Sequence, residues 1–244
     1  MERSQKIILD MLSIIIPTLN EENYLPNLLN AIKGQSFKDY EIIVADNNST
    51  DKTKEIAQSF GCRIASGGLP AKGRNEGAKI AKGNLLLFLD ADTMISKKFL
   101  EESFNEFKKR KLDIASYTLK PKTKNIFIIS GLNFFYNWPI VISQKFLAWG
   151  AMAILVKRDI FNKIGGFDEE IKLAEDHDFV RAGAKMGKFG ILTSAKVYMT
   201  LRRFEKDGYL KTGIKYLFCG IHMLLKGPIK SDIIKYDFDH YSKK

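Results

Sequence analysis

Short runs rich in Ile, Val and Leu occupy residues 12–16, 41–45 and 85–89, and each gives way at once to polar residues. Buried parallel strands that end in functional loops read this way. Residues 62–65 supply a shorter strand and 113–117 a further one. Between the runs, helix-period segments fall at about 21–33, 52–60, 74–82 and 96–111, the last charged and amphipathic. Strand and helix in alternation predict an α/β fold, a Rossmann-like, wound, mostly parallel sheet with flanking helices and right-handed crossovers. If the strand order reverses beside the first strand, a crevice opens next to residues 17–22, at the carboxyl ends of the strands.

Two apolar segments stand outside this alternation. Residues 126–144 carry no charge and include Phe134-Phe135-Tyr136-Asn137-Trp138. They approach a membrane span in length, but Asn133, Asn137 and Pro139 interrupt them, so a buried or interfacial segment is expected rather than a span. Near the end, Leu210, Ile214, Leu217, Phe218, Ile221, Leu224 and Leu225 recur at spacings of three and four, among Lys211, Lys215 and Lys226 and before Gly227-Pro228. This predicts a C-terminal amphipathic helical extension with a stop signal. Residues 1–205 are read as one domain and 206–244 as that extension, lying on a membrane surface or packing on the domain.

With 45% apolar residues in 244, the chain can bury a full core. Cys62 and Cys219 are far apart, with no CxxC spacing or histidine cluster to suggest zinc, and they read as reduced structural thiols of a cytoplasmic protein. Asp10 breaks the N-terminal apolar stretch and no small-residue cleavage site follows, so no secretory leader is expected. The expected location is cytoplasmic, peripheral on the inner face of the membrane. A net charge of +11 favours an anionic partner. The basic residues spread over stretches such as Lys108-Lys109-Arg110-Lys111 without interleaved aromatics, so a phosphorylated substrate or acidic membrane is expected and nucleic acid is not.

The strongest chemical signal is the apolar strand ending in Asp90-Ala91-Asp92. Residues i and i+2 of an extended chain face one side, so the two carboxylates can converge. Oxygen ligands without His or Cys suit Mg²⁺ or Mn²⁺ bridging to phosphate oxygens. Asp46, at the second strand's end, is placed to accept from a base or ribose, and Asp51 to cap the following helix. Lys72-Gly73-Arg74 is expected at a helix start, where N–H groups and positive charge attract a phosphate or an electron-rich base edge. Further on, Glu175-Asp176-His177-Asp178 concentrates acid after a glycine turn, a catalytic face or a solvated helix start. His177 reads first as structural, with metal or phosphate contact as the alternative.

Five elements then stand in order: Pro17-Thr18-Leu19-Asn20-Glu21-Glu22, Asp46-Asn47-Asn48-Ser49-Thr50-Asp51, Lys72-Gly73-Arg74-Asn75 with Gly77, Asp90-Ala91-Asp92 and Glu175-Asp176. Over about residues 11–205 the chain resembles the family 2 glycosyltransferases, whose fold is GT-A. The resemblance implies a nucleotide-diphospho-sugar donor and an acceptor hydroxyl, with inversion at the anomeric carbon. It implies that Pro17, Thr18, Asn20, Glu21, Asp46, Arg74, Asp90 and Ala91 belong to the donor site, Thr18, Asp46 and Arg74 holding the nucleoside. Asp92 would bind the ion directly, with Asp90 near ribose and metal, and Asp176 would be the general base. Arg202 and Arg203 would supplement the metal or form a basic surface pair. Lys72-Gly73 stands where an alanine often precedes the family's Arg-Asn, which leaves the nucleotide open. With the aromatic segment and the basic tail, the expected acceptor is lipid-linked or membrane-associated. A haloacid-dehalogenase-type phosphatase using Asp90 as nucleophile is the rival, but no later strand running into GDxxxD completes it. A non-catalytic nucleotide-binding scaffold is the other alternative.

Overall fold

The computed structural model describes residues 11–201 together with 208, 211–214, 218, 222 and 227. Its strands are β1 (Leu12–Thr18), β2 (Tyr40–Asp46), β3 (Arg63–Ser66), β4 (Leu85–Leu89), β5 (Met94–Ile95), β6 (Ile114–Pro121), β7 (Ala153–Lys157) and β8 (Phe189–Met199). Among the described residues they form one sheet in the order β3-β2-β1-β4-β7-β6-β8-β5. β3, β2, β1 and β4 run parallel, β7 is antiparallel to both of its neighbours, and β6 is again parallel to β8. The order reverses between β1 and β4, which places the crevice of a wound sheet beside residues 17–22 and 90–92.

Helices α1 (Leu25–Lys33), α2 (Thr53–Ser59), α3 (Pro70–Ile80) and α4 (Phe99–Lys109) fill the intervals of the first half. α1 starts later than its apolar period suggested, with Pro26 in its first turn, where a missing N–H costs nothing. α3 starts four residues earlier than residue 74, again at a proline. The second half holds α5, the continuous helix Ile126–Ser143, then α6 (Arg158–Ile164) and α7 (Glu175–Met186). β7 and β8 had no counterpart in the sequence reading, because AILVK is short and Lys and Ser interrupt the apolar residues of β8.

Alternate residues of β1 serve two apolar layers. Ile14 and Ile16 pack with α1 and α4 residues, whereas Ile15 faces the layer of Phe88, Ile160, Phe167 and Phe179. This is the period-2 division of a sheet covered on both faces. In the second layer Phe88 meets Phe167 edge-on at 5.0 Å and Phe179 at 6.1 Å. Gly77, in mid-helix on α3, lets the helix lie directly on Ile15, where a Cβ would collide with the Ile15 side chain. Close packing offsets the helix propensity that glycine gives up.

Of the two expectations for α5, a buried or an interfacial segment, its exposure rules out the buried one. Only Asn137 and Ile140 of this helix are buried. It is long and apolar enough to cross a membrane. Its middle, Asn133–Asn137, is a π-helix. Pro139 has no N–H to give and its ring crowds the carbonyl four residues back, which the wider turn relieves.

Candidate active site

The loops after β1 and β2 are tied together by side chains. Asn20, at φ 54°, accepts at Oδ1 from the Thr50 amide at 2.9 Å, and its own amide donates to Ser49 Oγ at 2.9 Å. Ser49 Oγ donates to Asp46 Oδ1 at 2.6 Å, and Thr18 Oγ1 donates to the same oxygen at 3.2 Å. Asp51 accepts from the amides of Glu22 and Thr53, in line with its expected place at the start of α2. The Glu21 amide donates to Thr53 Oγ1 at 2.8 Å. Thr18, Asn20 and Asp46 are each under 10% exposed, so the polar loop is preset rather than mobile.

α3 crosses the ends of these strands, its Gly73 lying against Pro17 and Ala45. The Gly73 amide already bonds Leu69 O within the helix, so the expected N–H cradle at residues 72–74 is not what this segment offers. It offers Arg74. The guanidinium is 5% exposed and bonds Asp90 Oδ1 at 2.8 Å through Nη2 and Glu175 Oε1 at 2.5 Å through Nη1. Burial works against its charge, but Asp90 and Glu175 outweigh burial and hold it protonated beyond the usual arginine range. Burial lifts the Asp90 carboxyl to about 6. Arg74 opposes the rise, while the charges of Asp92 and Glu175 add to it. Removing Glu175, whose side chain is 12% exposed, would leave the buried Arg74 charge behind, at up to about 3–5 kcal/mol in comparable buried pairs, while Asp90 at 35% exposure is partly screened by solvent and contributes less.

Glu175 and Asp176 open α7, where acidic groups suit the helix dipole. The residue before them, Ala174, is held at φ 66° and ψ 34°, a left-handed conformation costing about 1–2 kcal/mol for a residue with a Cβ. Strain of this kind persists where surrounding structure enforces it, commonly at functional sites. Asp176 Oδ1 accepts from the His177 amide at 2.8 Å. Gly150 presses on this turn so closely that a Cβ there would lie 2.5 Å from the Asp176 carbonyl oxygen. Its amide donates to His177 Nδ1 at 3.0 Å, and Trp149 meets the His177 ring edge-on at 5.5 Å. His177 thus has the structural role that was its first reading.

Tyr136 of the π-helical turn donates to the Gly150 carbonyl at 3.4 Å, and burial, then the nearby Asp176 charge, push its hydroxyl far above the ordinary phenol range. The Asp90 amide donates to Met152 O at 3.2 Å. The segment 150–152 therefore links the DxD turn, the start of α7 and α5. Asp92 accepts from Thr200 Oγ1 at 3.4 Å, at the end of β8.

Asp90, Arg74, Glu175 and Asp176 are thus brought together, with Asp92 one turn away. Ala91 is turned into the core at 4% exposure. Arg202 and Arg203 lie outside the described residues. Sequence reasoning missed Glu175 as the partner of Arg74, and missed Gly150, Tyr136 and Thr200. The Glu175-Asp176 pair was visible, but its link to Arg74 spans 101 residues and carries no local signal. Among the described residues no group of three or more His, Cys, Asp or Glu side chains surrounds a common point. The two carboxylates of Asp90 and Asp92, oxygen donors with no His or Cys beside them, still fit a hard divalent ion that completes its shell with water and phosphate.

Residues 13–165 match the model of Glycosyl transferase family 2. Poly(ribitol-phosphate) beta-N-acetylglucosaminyltransferase TarS of Staphylococcus aureus is 27% identical over 208 residues, covering 78% of this chain but 35% of TarS. Glycosyltransferase EpsJ of Bacillus subtilis, itself uncharacterized, is 27% identical over 192 residues, 70% of this chain and 55% of EpsJ. The chain therefore spans a third to about half the length of these relatives. The crystal structure of TarS 1-349 with UDP-GlcNAc superposes with a TM-score of 0.64 at 24% identity, over 78% of this chain and 58% of that one. Mannosyltransferase PcManGT of Pyrobaculum calidifontis, with GDP-Man and Mn²⁺, superposes at 0.67 and 20% identity, over 78% and 57%. These likenesses agree with the GT-A architecture built above and leave no place for the phosphatase reading. The chain belongs to glycosyl transferase family 2.

Proposed function

We propose that the chain moves a sugar from a nucleotide-diphospho-sugar to an acceptor hydroxyl with inversion, the acceptor being carried at a membrane surface. The observation that carries this reading is Arg74, which joins Asp90 at the end of β4 to Glu175 at the start of α7, beside Asp176. Family membership and the relatives that bind UDP-GlcNAc or GDP-Man support it.

In this mechanism Thr18 and Asp46 hold the nucleoside in the preset loops, with Pro17, Asn20 and Glu21 shaping the wall. Arg74 fixes where Asp90 and Glu175 stand, and a nucleoside contact would be made by exchange of one carboxylate partner. Asp176 accepts the proton of the acceptor hydroxyl as its oxygen attacks the anomeric carbon. The bond to the diphosphate oxygen breaks, and the nucleoside diphosphate leaves with the electron pair. Asp92 and Asp90 would hold Mg²⁺ or Mn²⁺, which when bound offsets charge on the departing diphosphate. Arg202 and Arg203 follow Thr200, the partner of Asp92, and are proposed to add positive charge there.

The tail at 206–244 is proposed to help place the enzyme on the cytoplasmic face of a membrane. Most of that segment lies outside the described residues. Residues 211–214, 218 and 222 are helical, with Ile214 and Phe218 at least half exposed.

A panel of UDP- and GDP-sugars incubated with Mn²⁺ tests the proposal, with nucleoside diphosphate release read by chromatography and product configuration by NMR. One donor is expected to be consumed only with metal, giving the inverted anomer. Metal-independent turnover, a retained anomer, or phosphate release from a simple phosphomonoester would overturn it.

A further inference from the structure

Helix α5 and the turn after it carry a surface that the reaction above does not use. Ile126, Phe127, Phe134, Phe135, Trp138 and Ile142 are all more than half exposed, and Phe146 in the following turn is 93% exposed. Contiguous apolar area of this extent is uncommon on a monomer in water and marks a contact surface. Phe134 meets Phe135 edge-on at 5.0 Å and Trp138 at 6.1 Å, so the aromatic part is already assembled.

The helix is also held fast along the sheet. β6 and β8 slip register between Tyr117 and Leu119, and Asn137 makes good the break. Its Oδ1 accepts from the Leu119 amide at 2.9 Å and its Nδ2 donates to the Leu119 carbonyl at 2.8 Å. A helix pinned on one side and aromatic on the other suits the plane of a bilayer interface better than a span.

Charge identifies the occupant. No acidic residue occurs between Asp113 and Asp159, while exposed Lys120, Lys122 and Lys124 precede the helix and exposed Lys145 follows it. That pattern matches an anionic lipid surface. A second copy of a chain with net charge +11 would meet it with repulsion.

Where α5 ends, an open cleft of about 760 Å³ begins, lined by Lys145, Phe146, Arg181, Lys185 and Lys188, with Asp178 as its only acidic wall residue among the described residues. Four cations against one carboxylate leave the lining at +3. Arg181 also stands 5.9 Å from the centre of the Trp149 ring. It lies five residues after Asp176 on α7, roughly 7.5 Å along the helix at 1.5 Å per residue. The apolar face, the basic cleft and the proposed base therefore follow one another along connected elements.

We infer that this cleft binds the phosphate of a lipid-borne acceptor, delivered from an anionic bilayer on which the aromatic face of α5 rests. The inference depends on the transferase reading, in which Asp176 takes the acceptor's proton, and it adds the acceptor class.

Co-sedimentation of the full chain with three kinds of vesicle tests it: phosphatidylcholine alone, phosphatidylcholine with a fifth of phosphatidylglycerol, and the same with phosphatidic acid, whose phosphate is terminal. The wild type should sediment with both anionic vesicles and prefer phosphatidic acid. Phe135→Ser combined with Trp138→Ser should abolish sedimentation. Lys145→Ala and Lys185→Ala should each weaken binding to phosphatidic acid about fivefold and together remove the preference.

Equal sedimentation with all three vesicles, or a serine variant that sediments like the wild type, overturns the docking face. A preference that survives both lysine changes overturns the cleft. Inorganic phosphate without added metal is the free-phosphate arm: it should reduce the preference by competition, whereas phosphate binding that the two lysine changes abolish, with no vesicle binding, would assign the cleft to a soluble phosphate and contradict the lipid. Donor turnover by the same wild-type preparation separates the two readings. Turnover without vesicle binding sinks this inference and the membrane placement but leaves sugar transfer standing, and vesicle binding without turnover of any donor sinks only the transferase.

Discussion

The two halves of the sheet are finished differently. On the β3-β2-β1-β4 side, loops are closed by buried side-chain hydrogen bonds running from Thr18 through Asp46 and Ser49 to Asn20 and Thr50. On the β7-β6-β8 side, β7 runs against both of its neighbours, the β6-β8 pair carries a bulge, and α5 leaves six large apolar side chains in the open. The first half has a pocket wall set before any ligand arrives. The second has a surface that is incomplete in water. In the proposed mechanism the donor would sit against the first and a membrane-borne acceptor would arrive by the second, and Arg74 ties β4 to α7 through Asp90 and Glu175.

The division predicts that donor binding and transfer come apart. Asp176→Asn should reduce transfer by about 10² to 10⁴ while nucleotide affinity, measured by calorimetry, stays near that of the wild type. Normal turnover would remove Asp176 from the mechanism. Asp92→Asn should do the reverse and weaken metal-dependent donor binding first, because an amide keeps the shape but not the charge that holds an ion. Unchanged calorimetric affinity in Mn²⁺ would set that assignment aside.

Stability should divide in the same way. Asn137→Ala strands the Leu119 amide and carbonyl in a buried place, at about 1–3 kcal/mol for each unsatisfied group. Thermal unfolding should register several degrees of loss, and a midpoint equal to the wild type's would show that the bulge needs no partner. Asn20→Ala should cost less, on the order of 1 kcal/mol, and show mainly as weaker nucleotide binding because the loop is no longer preset. Loss of stability with full affinity would contradict the view that these bonds shape the donor wall.

The smallest effect concerns Glu106, which anchors the β8 bulge region by accepting from Thr193, Ser194 and Arg110. Burial alone would raise its pKa, but those hydrogen bonds outweigh burial and hold it below the usual glutamate value. A group depressed in the folded state stabilises above its unfolded pKa, near 4.3, and loses that contribution as pH falls through the folded value. Glu106→Gln should therefore flatten the acid limb of a melting-temperature profile, and an unaltered limb would refute the link.

Much of the first half was legible. β1, β2 and β4 are each built on a short apolar run that gives way to polar residues, so they fall at the expected places and the reversal beside β1 locates the crevice. His177 is packed into its turn as first read, and Asp51 accepts from the Thr53 amide at the start of α2, one residue before the N-cap position, Lys52. The second half was less legible because its signals are not local. The Arg74–Glu175 bond, the repair of β6 by Asn137 and the approach of Gly150 to Asp176 each pair residues that nothing in a sequence window connects. For α5 the sequence left a buried and an interfacial segment open, and it could not choose between them for a related reason. An apolar segment inside a domain looks like core until the sheet beneath it is found to be filled already.

Hydrogen–deuterium exchange on the full chain, with UDP and GDP each added in Mn²⁺, tests most directly whether the donor belongs to the first half. One nucleotide is expected to slow exchange at residues 17–22, 46–51, 69–77 and 90–93 and to leave 126–146 unchanged. Protection confined to 126–150, or none with either nucleotide in a preparation that turns over donor, would contradict this account.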